Sequence, residues 1–376
     1  MPINLVPHSA DMTDAVHAFN ARMRAGGSPW GFYVDPNPDW IPKRDGAVSW
    51  REYHLAVDDG EHVRGGYALK PQQWLIHGKT EWVTDWQGPF TEALIDARYS
   101  TLALRIIRDM LKKHPLLFSL GHGGSDEPIV QLLQKLKWTL HGTSACLKIL
   151  KPYRFLRHNA YLRKSRRNAI LLDLLAYTGT GFLGIMALQS ALRCWPQQQR
   201  FRARAEVVDS FGDWTDELWE RNKGYYSCLA VRDKCMMNTL LPATGWPGGT
   251  RLKIYRDKEL IGWSVVHHKK MSDDQRFGDL RVGMLSDCFA APGDAAEIVS
   301  ATHDYLSAQE VDLIFSNQAN PDWIRGFRNN GYVTLANRRV FAISPPFSEK
   351  LEPFSETIAK LHLTNMDGHG PHGFED

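Results

Sequence analysis

The chain has 376 residues, 43% hydrophobic and 23% charged, a globular composition that excludes disorder; it is too long for one ordinary core, so two domains are expected. A net charge of only +3 does not argue for nucleic-acid binding by the whole surface. The cysteines, Cys146, Cys194, Cys228, Cys235 and Cys288, are odd in number and contain no C-x-x-C pair, which favours a reduced compartment over a disulfide framework or a zinc site. The first eight residues lack a basic run and an apolar core, so no signal peptide is read there and a cytoplasmic location is expected. The 13 tryptophans are read first as core, and only second as a pocket lining.

Residues 11–25 carry Val16, Phe19 and Met23 at helical spacing after Asp11 or Thr13, and Gly26 and Gly27 end that helix. Residues 28–45 hold Pro29, Pro36, Pro38 and Pro42 among aromatics, which excludes a regular helix. Residues 53–57 and 67–76 read as a hairpin about Asp58 to Gly60, and residues 82–86 as a third strand. A helix over 99–112, a buried strand over 116–120, a second helix over 127–136 and returning strands over 138–150 follow.

Residues 151–210 form a join. Arg154, Arg157, Arg163, Lys164, Arg166 and Arg167 cluster at its start, and the apolar stretch 170–192 follows. That stretch approaches the length of a membrane span, but Asp173 and Gln189 interrupt it and Thr178 to Gly181 breaks it. Two shorter helices are expected, packed between domains or touching a membrane surface from the basic side. Residues 209–245 read as helical. Residues 251–255 and 260–266 form a second hairpin, and 281–290 another apolar strand. A helix over 294–309, a strand over 311–315, a helix over 321–330 capped by Asn320, and a last strand over 340–343 complete the pattern. The same order thus occurs twice, about 195 residues apart, as in a duplicated domain. The boundaries read are 1–152, a connector 153–208, a second copy 209–346 and a tail 347–376.

This order resembles the GNAT acyltransferase fold, an α/β (α+β) fold in which a mixed sheet splays open to admit an acyl thioester. Residues 327–333 (FRNNGYV) look like the late helix-to-strand passage of that fold. Other stretches resemble tandem GNAT-like proteins placed near bacterial polysaccharide genes: 18–22 (AFNAR), 154–157 (RFLR), 277–279 (FGD), 286–288 (SDC), 316–318 (SNQ) and 361–371 (LHLTNMDGHGP). The resemblance implies two GNAT-like domains in tandem, acyl-CoA as co-substrate, and a Q/R-x-x-G-x-G/A loop for its pyrophosphate. In the first copy the matching residues are Arg98, Tyr99, Ser100, Thr101, Leu102 and Ala103, with Thr101 in place of the first glycine. In the second copy Pro292 removes an N–H donor and Asp294 adds negative charge, so a thioester is expected in the first copy.

For proton transfer, Asp85 and Asp287 occupy equivalent third strands, where a carboxylate needs a reason; catalysis and a hydrogen-bonded pair both supply one. Tyr99 is a candidate acid for the leaving thiolate. Alternation puts Cys288 on the face opposite Asp287, and only one of His267 and His268 inward. Gly121 to Gly124, with His122, is glycine-rich after a strand; it is read either as a plain turn or as a backbone approach to a ligand, where the resemblance implies that pantetheine passes. Asp367, His369 and His372 in the tail imply no coordination geometry; no metal is expected, and Asp367 and His369 are read as substrate contacts. The leading function is acyl transfer from acyl-CoA to an amine or hydroxyl of a small-molecule or saccharide acceptor. A Fem-type transferase using aminoacyl-tRNA, favoured by the basic cluster, and a non-catalytic scaffold for polysaccharide assembly at a membrane are the alternatives.

Overall fold

The structure, a computed structural model, describes residues 3–193, 203–245, 247–368 and 370. The described chain divides into two compact units that interleave in sequence. The first takes its residues from 1–141, 235–240 and 339–354, and the second from 142–234, 241–338 and 355–376.

In the first unit, β1 (Ile3–Pro7), α1 (Thr13–Ala25), β2 (Glu52–Asp58), β3 (Val63–Ile76), β4 (Lys79–Thr91), α2 (Leu102–Lys113), β5 (Leu117–Leu120) and α3 (Pro128–Lys135) follow one another. Strands β1 to β4 are antiparallel neighbours, β5 runs parallel to β4, and residues 341–343 return antiparallel to β5. The β2–β3 turn is closed by Asp58, whose carboxylate accepts the backbone N–H groups of Gly60 (2.9 Å) and His62 (3.0 Å). The β3–β4 turn is two residues, His77 and Gly78, both at positive φ (47° and 78°), the twist that a tight hairpin requires. Leu55 and Ala56, adjacent on β2, belong to different clusters. Leu55 packs with Val16, Phe19 and Met23 of α1, and Ala56 with Leu102, Ile106 and Met110 of α2. The two helices therefore cover opposite faces of the sheet.

The second unit contains most of β6 (Thr139–Ile149), then α4 (Pro152–His158), α5 (Arg166–Tyr177), α6 (Thr180–Arg193), β7 (Ala203–Val208), α7 (Asp213–Asn222) and β8 (Cys228–Ala230). After α8 (Lys234–Leu240), which lies in the first unit from residue 235 on, come β9 (Thr250–Arg256), β10 (Glu259–Lys270), β11 (Arg281–Ala290), α9 (Ala295–Ala308), β12 (Leu313–Gln318), α10 (Pro321–Asn329) and β13 (Val333–Ile343), the last of which passes into the first unit at residue 339. α11 (Pro345–Lys350) belongs to the first unit, and the last elements of the second are α12 (Phe354–Ala359) and β14 (Leu361–His362). Its strand order is β6-β12-β11-β10-β9-β7, with β14 parallel to β8. Asn320 caps α10 by accepting the N–H groups of Asp322 and Trp323.

The hairpin–strand–helix–strand–helix order thus recurs, β2 to α3 and β9 to α10. Three local readings change. The segment 209–245 is not one helical stretch: α7 ends at Asn222, and the apolar run Cys228–Ala230 becomes a strand because β14, far along the chain, offers it a partner. Strands β1 and β7 add to the pattern by pairing with β2 and β9. The expected returning strands over 138–150 are the single strand β6.

Candidate functional site

In the first unit β4 and β5 pair at Thr84↔Leu117 and Asp85↔Phe118. Beyond Asp85 they separate. β4 stays with β3 through a bulge around Gly88, where the register shifts between Gly66 and Ala68, while β5 stays with residues 341–343. The gap begins where the sequence placed its first carboxylate. His122 spans it: its Nε2–H donates to the Gly88 carbonyl and its Nδ1 accepts from the Ser119 hydroxyl, with its ring 5.0 Å from that of Trp86. The loop reaches across the gap because Gly121 and Gly123 take φ of 138° and 93°, where a side chain is strained. Gly121 is exposed and His122 half-buried.

Asp85 faces away from α2 and is fully buried, opposite Lys70 on β3. Gln87 Nε2 donates to its carboxylate at 3.4 Å, and Arg51 Nη2 donates to Gln87 Oε1 at 3.1 Å. The Arg51 and Lys70 cations each lie 5.7 Å from the Trp40 ring.

The predicted phosphate residues fall together at the start of α2. Asp96 accepts the Arg98 backbone N–H (3.0 Å) and grips its exposed guanidinium (2.6–2.9 Å). Arg98 in turn lowers the pKa of the Asp96 carboxyl. A 3-10 turn over Ala97–Tyr99 leads to Ser100 and Thr101, both exposed, and Thr101 is the N-cap without a side-chain bond of its own. The first turn of α2 contains no acid, so its N–H groups and dipole suit an anion. Leu102 is buried in the core and Ala103 half-buried. Tyr99 belongs to the same core cluster as Trp86, with the Arg64 guanidinium 5.2 Å over its ring.

In the second unit β11 and β12 pair from Val282↔Leu313 to Met284↔Phe315 and then part. Ser286 forms a bulge, since Val265 opposes Asp287 while Val266 opposes Leu285. Here the protein's own C-terminal segment lies across the gap. Asn365 accepts from Asn317 of β12 (2.8 Å) and donates to the Met284 sulfur of β11 (3.2 Å). His362 donates to the Cys288 carbonyl (2.8 Å), and Asn320 donates to the Leu361 carbonyl (3.0 Å). Burial holds His362 neutral, its pKa well below the ordinary value. Residues 361–367 are all buried.

Asp287 and Asp367, singled out separately in the sequence, meet at one cation, Arg232. Its Nη2 lies 3.1 Å from Asp287 Oδ1 and 2.8 Å from Asp367 Oδ2. The Thr364 hydroxyl donates to Asp287 (2.8 Å), as does the Cys288 N–H (2.9 Å). Burial raises the Asp287 carboxyl, Arg232 pulls it down, and the neighbouring Asp367 charge raises it again; the net direction is upward. Burial opposes the Arg232 cation, but the two carboxylates more than offset it and raise its pKa. Sequence reasoning missed Arg232. Its signal was an arginine ending the apolar run 228–231, next to which a buried carboxylate is expected.

At the start of α9, Arg256 binds Glu297 (2.7 Å) and Asp294, filling with carboxylates the place an anion would take. Cys288 and Ser264 share a register, and the Ser264 hydroxyl bonds Thr302 of α9, the face opposite Asp287. His267 is the inward histidine and His268 is exposed. Much of the basic cluster is engaged within its unit: Arg154 with Asp312 (3.0 Å), Arg157 and Arg163 with Asp173 (2.8 and 2.7 Å). Among the described residues, no three His, Cys, Asp or Glu side chains group as metal ligands. His369 and His372 lie outside the described residues.

A mixed sheet that opens between two parallel strands, each followed by a helix, defines the GNAT-like fold, and solved structures of that class match it. N-myristoyltransferase of Saccharomyces cerevisiae, with bound myristoyl-CoA and inhibitors, aligns with a TM-score of 0.53 at 10% identity, covering 92% of this chain and 81% of that one. A conserved protein of Enterococcus faecalis V583, a probable N-acyltransferase, gives 0.52 at 9% identity over 93% and 75% of the two chains. The GCN5-related glucosamine N-acetyltransferase region of a fungal multi-domain GH3 β-N-acetylglucosaminidase gives 0.51 at 12% identity, over 91% of this chain and 38% of that one. No protein-family model matches the chain, and no curated protein matches its sequence.

Proposed function

We propose that the first unit binds an acyl thioester in the gap between β4 and β5 and transfers its acyl group to an amine or hydroxyl. One contrast carries this reading. The gap of the first unit is bridged by the His122 imidazole, beside a helix whose first turn has no acid, whereas the equivalent gap and helix start of the second unit are taken by its own tail and carboxylates. The pyrophosphate of a coenzyme A thioester would meet the first turn of α2, at Ser100 to Ala103, with Arg98 released from Asp96 to join it. The acyl carbonyl would lie near the Gly88 bulge. Attack by the acceptor forms the new C–N or C–O bond and breaks C–S, and the acceptor's proton passes to a base as the thiolate takes one up.

His122 would take the proton: it is half-buried, at the gap, and its Nδ1 accepts from the Ser119 hydroxyl. Asp85 is sealed from solvent beside Lys70, which suits a positioning role behind the gap better than direct exchange with a substrate. A sugar amine as acceptor is supported by the matching glucosamine N-acetyltransferase region. Arg154, Arg157 and Arg163 are spent on internal carboxylates, which leaves the aminoacyl-tRNA alternative three exposed cations of the cluster, Lys164, Arg166 and Arg167.

Thermal unfolding with and without acetyl-CoA, longer acyl-CoAs and free coenzyme A tests the proposal. A ligand at 100 times its Kd should add about 2.7 kcal/mol, a rise of several degrees. No shift with any of them would overturn the thioester reading and leave the scaffold.

A further inference from the structure

Eleven of the eighteen large apolar or aromatic side chains exposed among the described residues lie between positions 153 and 188. They concentrate on α5 and α6, which meet at an 82° bend. On α5, Ile170, Leu171, Leu174 and Tyr177 form one outward stripe at helical spacing, with Leu174 59% exposed. α6 touches its unit along a narrow line, Gly181, Ile185 and Gln189. Gln189 pins it by accepting the Ile149 N–H (2.8 Å) and donating to the Ile149 carbonyl (3.0 Å). The rest of α6 looks outward, Leu183 being 66% exposed, and the helix has no charged residue before Arg193. A helix apolar nearly all round is expected to be covered.

The surrounding charge indicates by what. Residues 151–193 hold eight Lys or Arg against one Asp, a formal +7 in a chain of +3, so the remainder carries −4. Lys164, Arg166 and Arg167 are exposed. Arg166 and Arg167 precede Ile170 and Leu171 by four positions and share their helix faces. Tyr161 and Tyr177, with apolar rings and polar tips, flank the patch. Helices of 12 and 14 residues extend about 18 and 21 Å, short of the roughly 30 Å hydrocarbon layer. No single described helix is long and apolar enough to cross a membrane.

We propose that α5 and α6 form an in-plane anchor, their apolar faces sunk at the boundary of headgroups and acyl chains and Lys164, Arg166 and Arg167 on the phosphates of anionic lipids. A second copy fits this face worse, because a two-fold contact apposes the same patch with itself and would bring like charges together. The anchor is independent of the thioester site.

The test is co-sedimentation of the full chain with vesicles of phosphatidylcholine alone or with 30% phosphatidylglycerol. Binding is expected to the anionic vesicles and to fall with added salt. Replacing Lys164, Arg166 and Arg167 together by Ala should weaken it about 100-fold. Leu174→Glu with Leu183→Glu should abolish it, while circular dichroism and Tm stay as in the parent because both side chains are exposed. No binding by the parent to either vesicle, or equal binding by both variants, overturns the proposal. So does a salt-resistant dimer in sedimentation velocity that Leu183→Glu dissociates.

Discussion

Two acids on one guanidinium make the Arg232 cluster asymmetric. Removing the cation leaves two buried carboxylates facing each other, whereas removing one acid leaves a one-to-one pair. Arg232→Met should therefore cost about 3–5 kcal/mol, the penalty for breaking a buried pair, and Asp367→Asn under about 1 kcal/mol, since an amide oxygen can still cap Thr364. Urea midpoints give the comparison; equal losses would mean that the cation does not hold both acids. His267 provides a separate pH signature. Its Nδ1 accepts from the Ser286 hydroxyl of the β11 bulge (2.6 Å), and its Nε2–H donates to the Pro247 carbonyl (3.2 Å). Burial pushes its pKa down to about 4, with Arg251 and His268 acting the same way and the backbone acceptors opposing. A base depressed in the folded state stabilises fully above its unfolded pKa and loses that contribution as pH falls to the folded value. Between pH 6.5 and 4 the native protein should thus lose about 3 kcal/mol through this residue. His267→Gln should flatten that part of the stability–pH curve, and parallel curves would exclude it.

At the scale of elements, the two helix starts that follow the opened strands carry opposite electrostatic instructions. α9 begins with Asp294 and Glu297 under Arg256, and α2 with Ser100 and Thr101 and no acid. Thr101→Asp should stabilise α2 by about 0.3–1 kcal/mol through its dipole, so Tm in buffer holds or rises, while the shift produced by acyl-CoA disappears. A variant that keeps the shift would move the phosphate site elsewhere. This contrast was legible in the sequence, because Pro292, Asp294 and the hydroxyls at 100 and 101 are local features. The break at Thr178 to Gly181 was legible for the same reason, Gly179 taking φ of 74°. The strand Cys228–Ala230 was not, because a three-residue apolar run takes its structure from a partner more than a hundred positions away. Arg232 was hidden likewise: each acid looked solitary until the fold brought 232, 287 and 367 together.

For the whole molecule, a repeated order of elements does not imply repeated function. Both units open a sheet between parallel strands. In one, the tail makes side-chain bonds to both edges of the opening, buries Leu361, Leu363 and Met366, and sets Asp367 on the cation that Asp287 needs. A thioester entering there would have to displace that packing and leave Arg232 and Asp287 without their third member. Across the other opening, the His122 imidazole bonds the Ser119 hydroxyl and the Gly88 carbonyl. Titration calorimetry with a hydrolysis-resistant acyl-CoA should therefore give one site per chain, unchanged by Asp367→Asn and lost with Thr101→Asp. A stoichiometry of two, or a site that survives Thr101→Asp and fails with Asp367→Asn, would assign the chemistry to the second unit and make the tail a displaceable cover.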